Sequence, residues 1–193
     1  MDDLDILSRY PVSRHRLSVA DFYRMADAGI LGEDDRVELL EGQLIAMSPV
    51  GPRHALAVDA LNELLTRALS PTERVRVQNP VTLDDGSEPL PDIAVVRRPW
   101  RGYPGAHPGP DDVLLLIEVA ASSLAFDQGA KRILYARAAI REFWIVDLTA
   151  DVVHIHRKPM GDAYTVVTKL APAATLTIEA LPGIVLPAGP LFA

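Results

Sequence analysis

Val113-Leu114-Leu115-Leu116-Ile117-Glu118-Val119 is an almost unbroken apolar run that carries one carboxylate. A strand with one wet face alternates polar and apolar residues. A strand without alternation is covered on both faces and belongs in the middle of a sheet. Glu118 in such a strand is costly when ionised unless a cation meets it, or unless it lies just past the strand end and is solvated. Upstream, Asp92-Ile93-Ala94-Val95-Val96 follows Pro89 and Pro91 and reads as a second strand that opens on a carboxylate. Asp beside Pro also opens turns, so Asp92 by itself is ambiguous. Downstream, a helix is expected from about Ala125 to Ala139. On it Asp127, Lys131 and Tyr135 fall at i, i+4 and i+8, on one face, with Gly129 and Ala130 keeping the flank beside the lysine small. The plain alternative is an exposed Asp-to-Lys helix pair worth ~0.3 to 0.5 kcal/mol. Carboxylates at matching ends of neighbouring strands make an oxygen-rich pocket. That suits Mg²⁺ or Mn²⁺, and neither zinc nor copper.

Working outward, residues 1–16 show no periodicity and read as an irregular leader. Ser18-Val19-Ala20-Asp21 is an N-cap box opening a short helix that Gly29 can close. Arg36 to Ser48 reads as a hairpin turning near Glu41-Gly42. From His54 the spacing Leu56, Val58, Leu61, Leu64, Leu65, Leu69 follows a helical face up to Pro71. Val75 to Leu83 alternates as a strand. Phe143 to Asp147, Val152 to Arg157 and Tyr164 to Thr168 are three more, and the apolar tail after Pro172 is expected to pack along the body. The order helix-strand-strand-strand-helix-strand, preceded by a helix and hairpin and followed by a β-meander, indicates an α/β protein. Its mixed sheet is covered by few helices, and it is not doubly wound.

The chain has 193 residues, a length that fits one domain spanning 1–193. There is no cysteine, which removes disulfides, thiolate zinc sites and cysteine nucleophiles. The N-terminus is acidic where a signal or transit peptide needs positive charge. No apolar run reaches the ~18 to 20 residues of a membrane span. A soluble, cytoplasmic protein with no membrane association is the expectation. The net charge of −7 argues against a surface that tracks phosphate everywhere, and leaves room for a local basic strip around an acidic centre.

Several short motifs occur in a fixed order: Glu38-Leu39-Leu40-Glu41-Gly42, Ser48-Pro49 with His54, Pro91-Asp92, Glu118-Val119-Ala120 with Ser122, Asp127 with Lys131 and Tyr135, and Glu142-Phe143-Trp144-Ile145-Val146-Asp147. The series resembles the Uma-type family of restriction-endonuclease-like proteins, within the PD-(D/E)xK nuclease superfamily, from about Arg16 to the C-terminus. The resemblance implies a restriction-endonuclease-like core in which Asp92, Glu118 and the backbone carbonyl of Val119 hold Mg²⁺ or Mn²⁺. It also implies that Glu38 and His54 approach the same site, and that Asp127, Tyr135 and Ser122 support it. The superfamily's usual lysine would stand at position 120, where this chain has Ala120. In the Uma-type group that lysine comes from the following helix, which here is Lys131.

The expected function is metal-dependent hydrolysis of DNA phosphodiesters, with dimerisation expected by analogy with enzymes that cut both strands. The rival from another class is an inactive nuclease-fold module for oligomerisation or for protein or nucleic-acid binding. Arg97-Arg98-Pro99-Trp100-Arg101 interleaves cations with an aromatic ring, which suits phosphate contact and base stacking. A solvated loop with a packed Trp has the same composition. His154 and His156 alternate along a late strand with no third ligand nearby, and are expected on the surface.

Overall fold

The computed structural model describes residues 10–32, 34–98 and 105–193. A six-stranded sheet runs through it in the order β3-β4-β5-β6-β7-β8. These strands are β3 (Glu73–Val77), β4 (Ile93–Arg97), β5 (Val113–Ala120), β6 (Glu142–Asp147), β7 (Val152–Met160) and β8 (Ala163–Leu170). β5 pairs with β6 in parallel, and every other neighbour in this sheet is antiparallel. A parallel neighbour needs a crossover, and the helical segment after β5 supplies it. The expected mixed sheet with few helices is therefore the one observed, and among the described residues no helix is long and apolar enough to cross a membrane.

Every residue of β5 is buried, as its lack of alternation requires. One face of the sheet is covered by α2 (Pro52–Ala68), whose Ala57, Val58, Leu61 and Leu65 pack on Val95, Leu115, Ile117 and Trp144. Burying a leucine such as Leu61 contributes about 2 kcal/mol. The same face receives β9 (Thr175–Ile178) and β10 (Leu181–Pro187), a separate antiparallel hairpin. The apolar tail thus packs on the body, and does so as strands with Leu176, Ile178 and Leu186 inward.

The opposite face carries Ala94, Val96, Leu116, Ala120, Phe143 and Ile145. It is covered by α4 (Arg132–Arg137), through Leu134 and Tyr135, and by the hairpin of β1 (Val37–Leu40) and β2 (Gln43–Ala46), through Leu40. That hairpin turns on Glu41 and Gly42, both at positive φ (49° and 74°), the conformation a two-residue turn demands. A Cβ on Gly42 would lie 2.5 Å from that of Arg16, so both the turn and its packing call for glycine. α1 (Val19–Asp27) begins with the expected capping box between Ser18 and Asp21.

Three expectations need correction. The strand from Val75 to Leu83 ends at Val77, because Gln78 adopts φ 48° and Pro80 has no N–H to give a ladder. The helix expected over 125–139 is broken into α3 (Leu124–Phe126), a π-helical turn (Asp127–Lys131) and α4. Within it the Arg132 N–H reaches back to the Asp127 carbonyl. Finally, His154 and His156 are buried, each 4% exposed. Their strand pairs with β6 so that His156 lies beside Phe143 and His154 beside Ile145, on the face that α4 covers. His156 stacks on Phe143 with ring centroids 5.5 Å apart, and burial lowers its pKa to about 4.

Candidate active site

β4 and β5 are paired with Ile93 opposite Ile117. One step along that register sets Asp92, just before β4, opposite Glu118 near the end of β5. Alternation puts both on the face of Ala94 and Leu116. Two steps along, Pro91 faces Val119. Proline has no N–H, so the Val119 carbonyl meets no ladder donor there, while the Val119 N–H is taken up by Asp92 Oδ2 at 2.9 Å. The motif Pro91-Asp92 therefore frees a backbone carbonyl and fixes a carboxylate beside it.

Asp92 is held on all sides. Its Oδ2 also meets His54 Nε2 at 3.0 Å, and its Oδ1 accepts from Gln78 Nε2 at 3.2 Å. Burial opposes its ionisation, but these donors outweigh burial and hold its pKa below the ordinary carboxylate value. Glu118 accepts from Lys131 Nζ at 3.0 Å and from the Tyr135 hydroxyl at 2.6 Å, both at Oε1. Oε2 receives neither bond. Lys131 Nζ also lies 3.3 Å from Glu38 Oε2, an atom that accepts the Leu90 N–H at 3.2 Å.

The charges do not balance. Glu38, Glu118 and Asp127 share Lys131 as their one buried lysine, while Asp92 has His54 beside it. Burial raises the pKa of Glu118 to about 8, and although Lys131 works against this, Asp92, Asp127 and Glu38 add to it. Asp127 is likewise raised, chiefly by burial, despite the Ser123 hydroxyl that donates to it at 2.6 Å. Burial works against the Lys131 ammonium, but the surrounding carboxylates hold it protonated well above its ordinary range.

These groups floor a cavity of about 550 Å³ that opens between the β2–α2 segment and α3. Glu38, His54, Asp92, Glu118, Val119, Ser122, Asp127 and Lys131 all line it. Tyr135 stands behind Glu118, fully buried. The π turn gives Asp127 and Lys131 their place, and such turns inside helices often mark functional sites. Ser122 lines the cavity, but Ser123 is the serine bonded to Asp127.

Gln78 was not legible as a site residue. Its amide reaches Asp92 because the backbone leaves β3 there at positive φ, and the following Asn79-Pro80 is the only trace of that kink in the sequence. Arg97 and Arg98 lie at the far end of β4 from Asp92, five residues or about 17 Å along the strand. Arg97 there donates to the Asp111 carbonyl. Trp100 and Arg101 fall outside the described residues.

The donor set can be tested against a divalent metal on this geometry. Among the described residues no three His, Asp or Glu side chains have metal-ligand spacing. Mg²⁺ asks for less, since it keeps several waters and is commonly held by one or two carboxylates. Asp92, Glu118 with its available Oε2, and the Val119 carbonyl form an all-oxygen set beside an excess of negative charge. The residues fit a hard divalent cation.

A comparison with curated proteins gives no match. Among solved structures the fold is similar to "a putative nuclease belonging to DUF820" from Anabaena variabilis. The TM-score is 0.70 at 17% identity, over 91% of this chain and 97% of that one. The family model described as "Putative restriction endonuclease" matches residues 19–189, nearly the whole length, and the chain belongs to that family, Uma2.

Proposed function

We propose that the protein is a metal-dependent nuclease that hydrolyses phosphodiester bonds in DNA. The observation that carries this reading is the meeting of Asp92 and Glu118, from adjacent strand ends, with the Lys131 ammonium 3.0 Å from Glu118. Asp92, Glu118 and the Val119 carbonyl would hold Mg²⁺ or Mn²⁺. Bound there, the ion would polarise the scissile phosphate and make water a better nucleophile. Lys131 places a fixed positive charge where negative charge develops on phosphorus. Tyr135 and Glu38 orient that ammonium, Tyr135 through the shared oxygen of Glu118 and Glu38 directly. His54 and Gln78 fix the plane of the Asp92 carboxylate, so that little reorganisation is left for the reaction.

One observation favours the second reading, a nuclease-fold binding module. Lys131 is already engaged by two carboxylates, and an ammonium so occupied has less charge to offer a phosphate. Titration calorimetry with Mn²⁺ and cleavage assays on single- and double-stranded DNA separate the two. For the nuclease, Asp92→Asn abolishes Mn²⁺ binding. Lys131→Ala keeps or tightens it, and lowers cleavage ~10²- to 10³-fold. Wild type that neither binds Mn²⁺ at millimolar concentration nor cleaves leaves the module.

A further inference from the structure

Glu118, Lys131 and Asp92 lie deep in the cavity, at 4, 5 and 8% exposure. The opening is chemically unlike the floor. Met47, Pro49 and Val50, from the segment joining β2 to α2, line it together with Phe126 of α3. Val50 and Phe126 leave 40 and 36% of their surface in water. Two apolar side chains with free surface thus stand in the lining of a charged site. Cations are scarce: among the described residues Arg36 and Lys131 are the ones that line the cavity, and Lys131 is shared by Glu118 and Glu38.

Double-stranded DNA presents phosphates outside and stacked bases inside, and a protein grips it with a row of cations along the backbone. Among the described residues the opening supplies Arg36 and no row of cations. An unpaired strand is free to turn a single nucleotide into such a cavity, whereas a duplex must first unstack and unpair one. A cavity of about 550 Å³ is of the size that encloses one small-molecule unit. Aromatic side chains stack on the faces of unpaired bases, which adds to whatever the cations contribute along the backbone.

Building on the nuclease reading above, we propose that the substrate is an unpaired DNA strand. One nucleotide enters the cavity with its phosphate toward Lys131 and its base against Phe126 and Val50. Arg36 takes a neighbouring phosphate at the opening.

Fluorescence anisotropy tests this with a labelled single strand of roughly 12 nucleotides and a hairpin duplex of the same sequence, both in Mg²⁺. The single strand should bind at least ~10-fold more tightly than the duplex. The slope of log K against log salt should be about −1.4, from two phosphate contacts at about −0.7 each on a single strand. Phe126→Ala should weaken single-strand binding ~5- to 100-fold, with the calorimetric Mg²⁺ affinity unchanged. Val50→Glu, a surface change that leaves the core alone, should weaken it in the same direction. Duplex binding as tight as single-strand binding, a slope steeper than about −3, or wild-type binding by both variants overturns the proposal. Failure of the nuclease reading looks different, because it appears as absent metal binding whatever the strand state. Intact metal binding with cleavage that prefers duplex refutes the strand proposal alone.

Discussion

Two glutamates are buried in adjacent strands of the same sheet, and they are treated in opposite ways. Glu142 of β6 lies on the face of Trp144 and is satisfied at both oxygens. Oε1 accepts from Trp144 Nε1 at 2.7 Å and from Arg157 Nε and Nη2 at 2.9 and 2.7 Å, and Oε2 accepts the Glu179 N–H at 2.6 Å. Glu118 of β5 has donors at one oxygen and three other carboxylates around it. Each side chain alone would look like a buried acid with a cationic partner. Their surroundings separate a tie that joins β6, β7 and the C-terminal hairpin from a site left short of positive charge.

Removing Glu142 should therefore cost the most. Glu142→Ala strands an indole N–H and a backbone N–H, leaves the Arg157 guanidinium with only the Thr177 carbonyl and Glu179, and should destabilise the protein by about 3 kcal/mol. That is the low end for a broken buried pair, because Arg157 keeps part of its side chain in water. Urea denaturation measures it, and a loss below about 1 kcal/mol would erase the distinction between the two glutamates.

The metal-free protein should respond to pH through Glu118. Its carboxyl titrates near 4.5 when unfolded and near 8 when folded, so between those values the folded state holds a proton that the unfolded state has released. Stability then falls as pH rises from about 4.5 to about 8, and levels off above. The change should be on the order of 2 kcal/mol once coupling to Lys131 is allowed for. Glu118→Gln, neutral throughout, should flatten the melting temperature over that window, whereas a slope equal to wild type would place the titration elsewhere. Added Mn²⁺ should remove the slope in wild type only.

The smallest effect belongs to Tyr135→Phe. It deletes one of two donors to Glu118 Oε1 and should cost about 1 kcal/mol in denaturant. It should also raise the Glu118 pKa further, which carboxyl NMR titration would read. A shift downward would mean that the hydroxyl does not stabilise the ionised form.

The parts of this site visible in the sequence are those fixed by local pattern. Glu118 stands out because it interrupts a doubly buried strand, Asp92 because it follows Pro91 at a strand start, and Lys131 because it recurs on one helical face with Asp127 and Tyr135. Their convergence follows from pairing β4 with β5 and from one crossover helix. What escaped depended on distant cover or on backbone irregularity. His154 and His156 look exposed until α4 is laid over their strand, and nothing near them in sequence announces that helix. Gln78 looks like one more alternating strand residue until its positive φ turns it toward Asp92. Ser123, bonded to Asp127, lies next to Ser122 in the chain, and no pattern in the sequence separates the two.

The π turn at Asp127–Lys131 has a consequence for inheritance. An α-helix that accepts one extra residue can absorb it as a local π bulge and leave the helix on either side in place. The reverse holds as well. A gene lacking the codon for Gly129, whose Cα has open space beside it, is expected to encode the same sheet, the same α4 and the same Tyr135, with Asp127 and Lys131 re-aimed. One codon would then part the aim of Asp127 and Lys131 from the scaffold, while Asp92 and Glu118 stay fixed by the sheet.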